Sequence, residues 1–129
     1  MTSHVESMRD PDVEERRQRA VESLQIPERG NERYDRITRL ARTLFAAPMT
    51  SITILDGDRA WFPSSQGIDA DEVPRSETFC DTTTDLGKLL VVGDAAHDPR
   101  FGQLPSVRDG AVRFYAGHPL RDAIGNVVG

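Results

Sequence analysis

The chain has 129 residues, which is the usual size of one folded domain with a single core. Charged residues make up 29% of it, and the formal net charge is −5. This acidic balance argues against a nucleic-acid-binding surface, and no apolar run is long enough to predict a membrane-spanning helix or a secretory signal. The single cysteine, Cys80, has no internal disulfide partner, which favours a reducing, cytoplasmic location.

The first predicted helix follows a polar tail. We expect residues 1–9 to be disordered. Asp10 and Pro11 have the residue types of a helix cap and a first helical position, and the pattern that follows predicts a helix over residues 11–25. Its apolar stripe looks too thin for a core helix, so we predict that it pairs with the same helix of a second chain or with the next helix of its own. The stripe consists of Val13, Ala20, Val21 and Leu24.

Charged residues cover the rest of this helix. Acidic and basic residues are mixed there, as in Glu14-Glu15-Arg16-Arg17, which we interpret as a solvated face. A second helix is predicted over residues 31–46 and shows the strongest helical periodicity in the chain. Its apolar residues recur at spacings of three and four: Tyr34, Ile37, Leu40, Ala41, Leu44 and Phe45.

After Pro48 the hydrophobic residues recur at every second position. Ser51 to Leu55 alternates and is rich in β-branched residues, which predicts a strand. A turn at Asp56 to Asp58 and a second strand at Ala60 to Phe62 complete a β-hairpin. Residues 64–77 are predicted as a loop, because Gly67 and Pro74 interrupt them.

The remaining segments are short. Leu89 to Val92 predicts a strand, Asp98-Pro99 predicts the start of a short helix, and Gly125 predicts a turn before a last strand that begins at Val127. Phe79 to Asp85 could be loop or short helix. A half-buried strand is predicted where Val112, Phe114 and Ala116 alternate with Arg113 and Tyr115. Helices followed by hairpin-connected strands indicate an α+β domain, with its antiparallel sheet formed by residues 50–129.

Five segments in this order resemble bacterial GAF domains. They are Tyr34 to Ala41, Leu55 to Phe62, Ser76 to Cys80, Val92 to Ala95 followed by Asp98 to Phe101, and Arg113 to Leu120. The last is the most specific. The resemblance covers the chain from about residue 24 to its end.

The resemblance implies a PAS-related fold, with a six-stranded antiparallel sheet, N-terminal helices on one face and a ligand-sized cavity on the other. It implies that the final strand lies between the first strand and the strand containing Phe114. We therefore expect the chain to stop before that strand is complete.

The resemblance also implies a sensory, regulatory domain and not an enzyme. Such a domain binds a small molecule or a partner and relays its state, often as a homodimer, to an output domain such as a histidine kinase, a diguanylate cyclase or a phosphatase. No cofactor is expected. The Asn-Lys pattern of cyclic-nucleotide-binding members is not found, and Cys80 is followed by Asp81 where bilin-binding members carry Cys-His.

A ligand is expected between the sheet and the segment from Phe79 to Phe101, with Arg113 and Tyr115 as polar contacts. Core packing explains the aromatic members of this site equally well, and an ion pair with Asp94 is the simpler role for Arg113. The complete candidate site consists of Trp61, Phe79, Cys80, Asp94, Phe101, Arg113 and Tyr115.

Cys80 offers an alternative function, as a redox sensor or as the nucleophile of a small thiol enzyme, with His118 as a conceivable partner. A reactive thiol needs a nearby cation or helix N-terminus, and the sequence places neither beside Cys80, so a structural role is preferred. His4, His97 and His118 lack the spacing of metal ligands, and no metal site is expected.

Overall fold

The computed structural model describes residues 10–27 and 29–129, so the predicted tail at residues 1–9 lies outside the described residues. Within these described residues, four α-helices and five β-strands alternate with two short 3-10 turns at Arg75–Glu77 and Ala95–His97. In chain order the helices and strands are α1 (Pro11–Ser23), α2 (Glu32–Phe45), β1 (Thr50–Asp56), β2 (Arg59–Gln66), β3 (Glu72–Pro74), α3 (Phe79–Leu86), β4 (Leu90–Val92), α4 (Pro105–Arg108) and β5 (Tyr115–Gly117).

Helix α1 packs on the sheet. Asp10 caps it by accepting the N–H of Asp12 at 2.9 Å. Ala20 and Val21 are buried with Ile54 of β1 in one apolar cluster. We predicted that the apolar stripe of α1 pairs with a second chain or with α2. This prediction is wrong, because the buried part of the stripe packs on strand β1 instead.

Helix α2 contacts the sheet through polar groups. Thr38 is 2% exposed, and its hydroxyl lies 2.9 Å from that of Ser64 on β2. Ser64 also donates to Asp35 at 2.6 Å. The apolar residues that gave this helix its periodicity point largely to solvent, with exposed fractions between 56% and 78% for Ile37, Leu40, Leu44 and Phe45.

The sheet is antiparallel throughout and is described as two parts. The larger has the order β1-β2-β3, and the smaller pairs β4 with β5. Residues near the C-terminus lie between them, since Leu55 donates its N–H to the carbonyl of Val128 at 3.1 Å and Val128 donates to the carbonyl of Leu120 at 2.8 Å. The single six-stranded sheet implied by the resemblance is thus replaced by two smaller sheets that the C-terminal residues connect.

The two faces of the larger sheet are covered differently. The register pairs Ile54 with Trp61 and Ile52 with Ser64, which places α1 and α2 on the same face. A second apolar cluster forms where α3, β4 and β5 meet, and it contains Phe79, Leu90, Val92, Ala95, Phe101 and Val107. The candidate site belongs to this second cluster.

Two predictions for the middle of the chain are wrong. Residues 64–77 are not all loop, because β2 continues to Gln66 and Glu72–Pro74 pairs with it as β3. Asp98 does not begin a helix: its carboxylate accepts the N–H of Arg100 at 2.8 Å in a local turn, and α4 begins at Pro105.

The late strand is shorter than the predicted one, which began at Val112. The strand is Tyr115–Gly117, and the half-buried Tyr115 packs against the second apolar cluster. Phe114 is 62% exposed, and Ala116 is exposed as well. Tyr115 thus faces the second apolar cluster, and Phe114 faces solvent.

Candidate functional site

Helix α3 carries one side of the candidate site. Thr78 begins it by accepting the N–H of Asp81 at 3.2 Å, and Gly87 ends it in a left-handed conformation with φ of 65°. Phe79 and Cys80 lie in its first turn, with Thr83 and Thr84 one turn later. These caps hold the helix in the register that brings Phe79 to the aromatic residues of β5 and of the loop before α4.

The aromatic residues of the site stack closely. The ring of Phe79 lies 4.6 Å from that of Tyr115 at an interplanar angle of 9°, and 4.8 Å from that of Phe101. Phe101 is 2% exposed. These three rings occupy the space where the resemblance implies a ligand-sized cavity, so a ligand could enter only if α3 or Tyr115 moved.

The hydroxyl of Tyr115 connects β5 to α3. It lies 2.9 Å from the hydroxyl of Thr83 and donates to the sulfur of Cys80 at 3.8 Å. Burial raises the pKa of the Cys80 thiol, which outweighs the hydrogen bonds from Tyr115 and Thr53 that lower it. Burial likewise raises the pKa of Tyr115 far above its usual value. Both groups are therefore neutral near pH 7, and Cys80 lacks the thiolate character of a nucleophile or redox centre.

One hydroxyl in α3 is buried without a partner. Thr84 is 7% exposed, and its side-chain oxygen has no hydrogen-bond partner among residues 10–27 and 29–129. An unpaired buried hydroxyl costs about 1–3 kcal/mol. Thr84 stands one turn after Cys80 on the helix that borders the candidate site.

The structure brings together four of the seven candidate residues, namely Phe79, Cys80, Phe101 and Tyr115. Trp61 packs on the opposite face of the sheet, against the cluster that holds α1.

Asp94 and Arg113 lie at the exposed border of the site. The carboxylate of Asp94 pairs with the exposed His97 at 2.8 Å. Hydrogen bonding to His97 lowers the pKa of Asp94, with a smaller contribution from the charge of Arg113. The side chain of Arg113 is exposed, and its carbonyl accepts the N–H of Ala95 at 2.8 Å. The loop is thus joined to the sheet through the backbone.

A buried charge cluster was missed by the sequence interpretation. Arg75 is 5% exposed and Arg17 is 4% exposed, and both bind Glu14. Arg75 also binds Asp81 of α3 at 2.7 Å. We call these four residues the charge cluster. The interpretation of Glu14 and Arg17 as part of a solvated face is therefore wrong.

A signal for Arg17 was present in the sequence. It follows Val13 by four residues and precedes Ala20 and Val21 by three and four, so it stands within the apolar stripe. In the structure its guanidinium donates to the carbonyl of Leu55 at 2.7 Å. Arg75 had no such signal, because it lies in an irregular segment.

The charge cluster determines how Glu14 titrates. Burial alone would raise the pKa of Glu14, but hydrogen bonds and charges from Arg75 and Arg17 outweigh it and lower the pKa to about 2. Glu14 is therefore ionised at any pH near neutrality, and it compensates two guanidiniums that water cannot reach.

Within residues 10–27 and 29–129, no three His, Cys, Asp or Glu side chains converge in a way that could hold a metal ion. The helices of this part of the chain are all too short or too polar to cross a membrane.

Comparison with known proteins identifies the fold. The family model of the GAF domain matches residues 30–129, and the chain belongs to this family of sensory, regulatory domains. A solved GAF domain of A. aeolicus nlh2, captured in an inactive state, superposes with a TM-score of 0.60 at 16% identity, over 92% of this chain and 74% of that one. The α+β, GAF-like fold and the family resemblance expected from the sequence are both confirmed.

One curated relative contains a segment similar to this chain. The chain is 41% identical over 118 residues to a cyclic di-GMP phosphodiesterase of Pseudomonas aeruginosa. The alignment covers 89% of this chain. It spans only 20% of the length of that relative. The expected role as a sensory domain of bacterial signalling fits this match.

Proposed function

We propose that this GAF domain regulates an output domain that acts on cyclic di-GMP, and that the domain is not itself an enzyme. The identity of 41% with a segment of a cyclic di-GMP phosphodiesterase supports this choice among the expected kinases, cyclases and phosphatases. The neutral, hydrogen-bonded thiol of Cys80 supports a regulatory role over thiol chemistry.

The signal is a small molecule that binds between α3 and β5. The observation that carries this proposal is the unpaired, buried hydroxyl of Thr84, on the helix whose neighbouring residues line the aromatic cluster. A polar group of a ligand would satisfy it, while Phe79, Phe101 and Tyr115 would contact an apolar or planar part. Such a ligand must displace the packed rings, so binding would shift α3.

The relative provides a direct test of the regulatory role. The 118-residue matching segment of the Pseudomonas phosphodiesterase is deleted in one variant and replaced by this chain in another, and hydrolysis of cyclic di-GMP is measured. We expect the replacement to restore the rate that the deletion changes. A replacement that behaves like the deletion would contradict the proposal.

The ligand site is tested by screening metabolites for a shift in melting temperature. Thr84→Val should weaken the binding of any ligand found, because it removes a hydroxyl and preserves the shape of the side chain. Tyr115→Phe and Arg113→Ala test the polar contacts expected from the sequence. Thr43→Val, on an exposed part of α2, is the matched control and should leave binding unchanged. If all three site variants retain full affinity, the ligand binds elsewhere.

A homodimer and a cytoplasmic location remain part of this proposal. Ala20 and Val21 of the α1 stripe are not available to a dimer interface, since they are buried against Ile54. Light scattering at several concentrations tests the dimer. A constant monomer mass up to high concentration would exclude it for this domain.

A further inference from the structure

Arg75 lies where the β1–β2 turn and the start of α3 meet. Its backbone N–H donates to the carbonyl of Asp58 in the turn at 2.8 Å. Its own carbonyl accepts the hydroxyl of Thr78 at 2.7 Å, and Thr78 is the residue that caps α3. The backbone of one residue therefore joins the tip of the hairpin to the first turn of this helix.

The side chain of Arg75 adds α1 to this junction. Its Nη1 lies 2.5 Å from the carboxylate of Glu14 in α1, and its Nε lies 2.7 Å from that of Asp81 in the first turn of α3. The guanidinium is planar and keeps its charge, so its two carboxylate partners must hold fixed positions relative to each other. Because Arg75 is buried, water cannot replace a partner that moves away.

We infer that Arg75 is the positioning residue that couples α3 to α1, so that a displacement of α3 shifts the N-terminal helix. This inference rests on the proposed function, because the candidate ligand site borders α3. A shift of Asp81 away from Arg75 would leave the guanidinium with Glu14 as its one carboxylate partner, beside a longer hydrogen bond to the carbonyl of Gly57 at 3.4 Å. The guanidinium would then follow Asp81 or turn towards Glu14, and either movement changes how α1 is held on the hairpin.

The coupling is measured by a cycle of conservative substitutions in the purified protein without ligand. Glu14→Gln and Asp81→Asn each remove one carboxylate from Arg75, and the double variant leaves a buried cation without either. The double variant should therefore lower the melting temperature by more than the sum of the single variants, by at least about 3 °C. In an Arg75→Met background the two losses should be additive, because Glu14 still binds Arg17 there but no longer shares a guanidinium with Asp81. Additive losses in the presence of Arg75 would overturn the inference.

A second measurement follows the effect from α3 to α1. Asp81→Asn should increase hydrogen exchange of the backbone amides of α1 about tenfold or more and leave those of α2 unchanged. Glu77→Gln is the matched control, since it removes an exposed carboxylate just before α3 and should leave α1 unaffected. Unchanged exchange in α1 on Asp81→Asn would overturn the coupling.

Both measurements are independent of ligand and output. If the phosphodiesterase replacement fails but the cycle is non-additive, the coupling stands without the proposed function. If Arg75→Met does not fold, Arg75→Lys serves instead, because it keeps the charge but cannot bind two carboxylates in a fixed plane. The excess loss in the double variant should then shrink, and an undiminished excess would overturn the role of the guanidinium.

Discussion

At the residue scale, Glu14 is an acid held between two buried guanidiniums. Its folded pKa of about 2 lies below the ordinary value of 4.5, so its ionised form stabilises the fold. That stabilisation is complete above pH 4.5 and is lost as the pH falls towards 2. Its side chain is 29% exposed, so we allow for screening by solvent and expect about 1–2 kcal/mol.

We therefore predict that Glu14→Gln is less stable than the native protein at pH 6, and that the difference shrinks as the pH is lowered from 4.5 to 2. Urea unfolding at a series of pH values measures it. Glu15→Gln is the control, because Glu15 lies on the same helix with a side chain that is 67% exposed. A constant difference across the range would contradict the pKa assigned to Glu14.

Adjacent threonines in α3 offer a matched pair of hydroxyls. The hydroxyl of Thr83 donates to the carbonyl of Phe79 at 3.2 Å and lies 2.9 Å from the hydroxyl of Tyr115. The hydroxyl of Thr84 has no partner among the described residues. Thr83→Val should cost about 1–2 kcal/mol, and Thr84→Val should be neutral or stabilising. Chemical denaturation compares them directly, and equal losses would show that Thr84 has a partner in solution.

At the scale of elements, α2 shows an unusual division of roles. Its polar contact through Thr38 and Ser64 is buried, while Leu44 on its apolar side is 69% exposed. We predict that Thr38→Val lowers the free energy of unfolding by about 1–3 kcal/mol, because the buried hydroxyl of Ser64 then keeps its hydrogen bond to Asp35 but loses the one to Thr38. Leu44→Gln should change the stability by less than about 0.5 kcal/mol.

Thermal and urea unfolding of these two variants decide which face of α2 holds the sheet. A large loss for Leu44→Gln would mean that the apolar face is covered in solution. A negligible loss for Thr38→Val would mean that the polar contact contributes little.

The elements that could be predicted from the sequence are those whose periodic pattern extends over many residues or whose first residue is a clear helix cap. The first long helix begins directly after the predicted cap Asp10, the second begins one residue after its predicted start at Asn31, and the hairpin turns at Gly57 as expected. Short elements were less predictable, because few residues carry their signal. Asp98 has the residue type of a helix cap but closes a local turn, and the helix begins seven residues later at Pro105.

The site could be predicted only in part, for a similar reason. Phe79, Phe101 and Tyr115 meet because α3 and β5 are adjacent, which agrees with the ligand site expected between the sheet and the segment from Phe79 to Phe101. Arg75 contacts Glu14 across 61 positions of the chain, and no local pattern indicates a partner at that separation. Tertiary contacts of this kind are determined by topology and not by propensity.

At the scale of the whole molecule, Val128 joins the two parts of the sheet. It is 4% exposed and packs with Ile54; its carbonyl accepts the N–H of Leu55 on one side, and its N–H donates to the carbonyl of Leu120 on the other. Val128→Ala should cost about 2 kcal/mol, since it removes buried methyl groups from the centre of the domain. Val127→Ala, at a half-buried neighbour, should cost less than about 1 kcal/mol.

Equilibrium unfolding of both variants tests this assignment. Similar losses at the two positions would place Val127, and not Val128, against the sheet core. A loss confined to Val128 would show that the last residues are part of the cooperative unit.

The central position of Val128 also affects how the chain folds during synthesis. The edge of β1 that pairs with Val128 leaves the ribosome 73 residues earlier, the difference between positions 128 and 55. At about 5–20 residues per second, that edge stays open for roughly 4–15 s. An open strand edge can pair with another nascent chain, so polysomes that translate this domain bring unpaired β1 edges close together. The order of strands in the sheet thus imposes a period of aggregation risk that a simple meander, which pairs each strand as it emerges, would avoid.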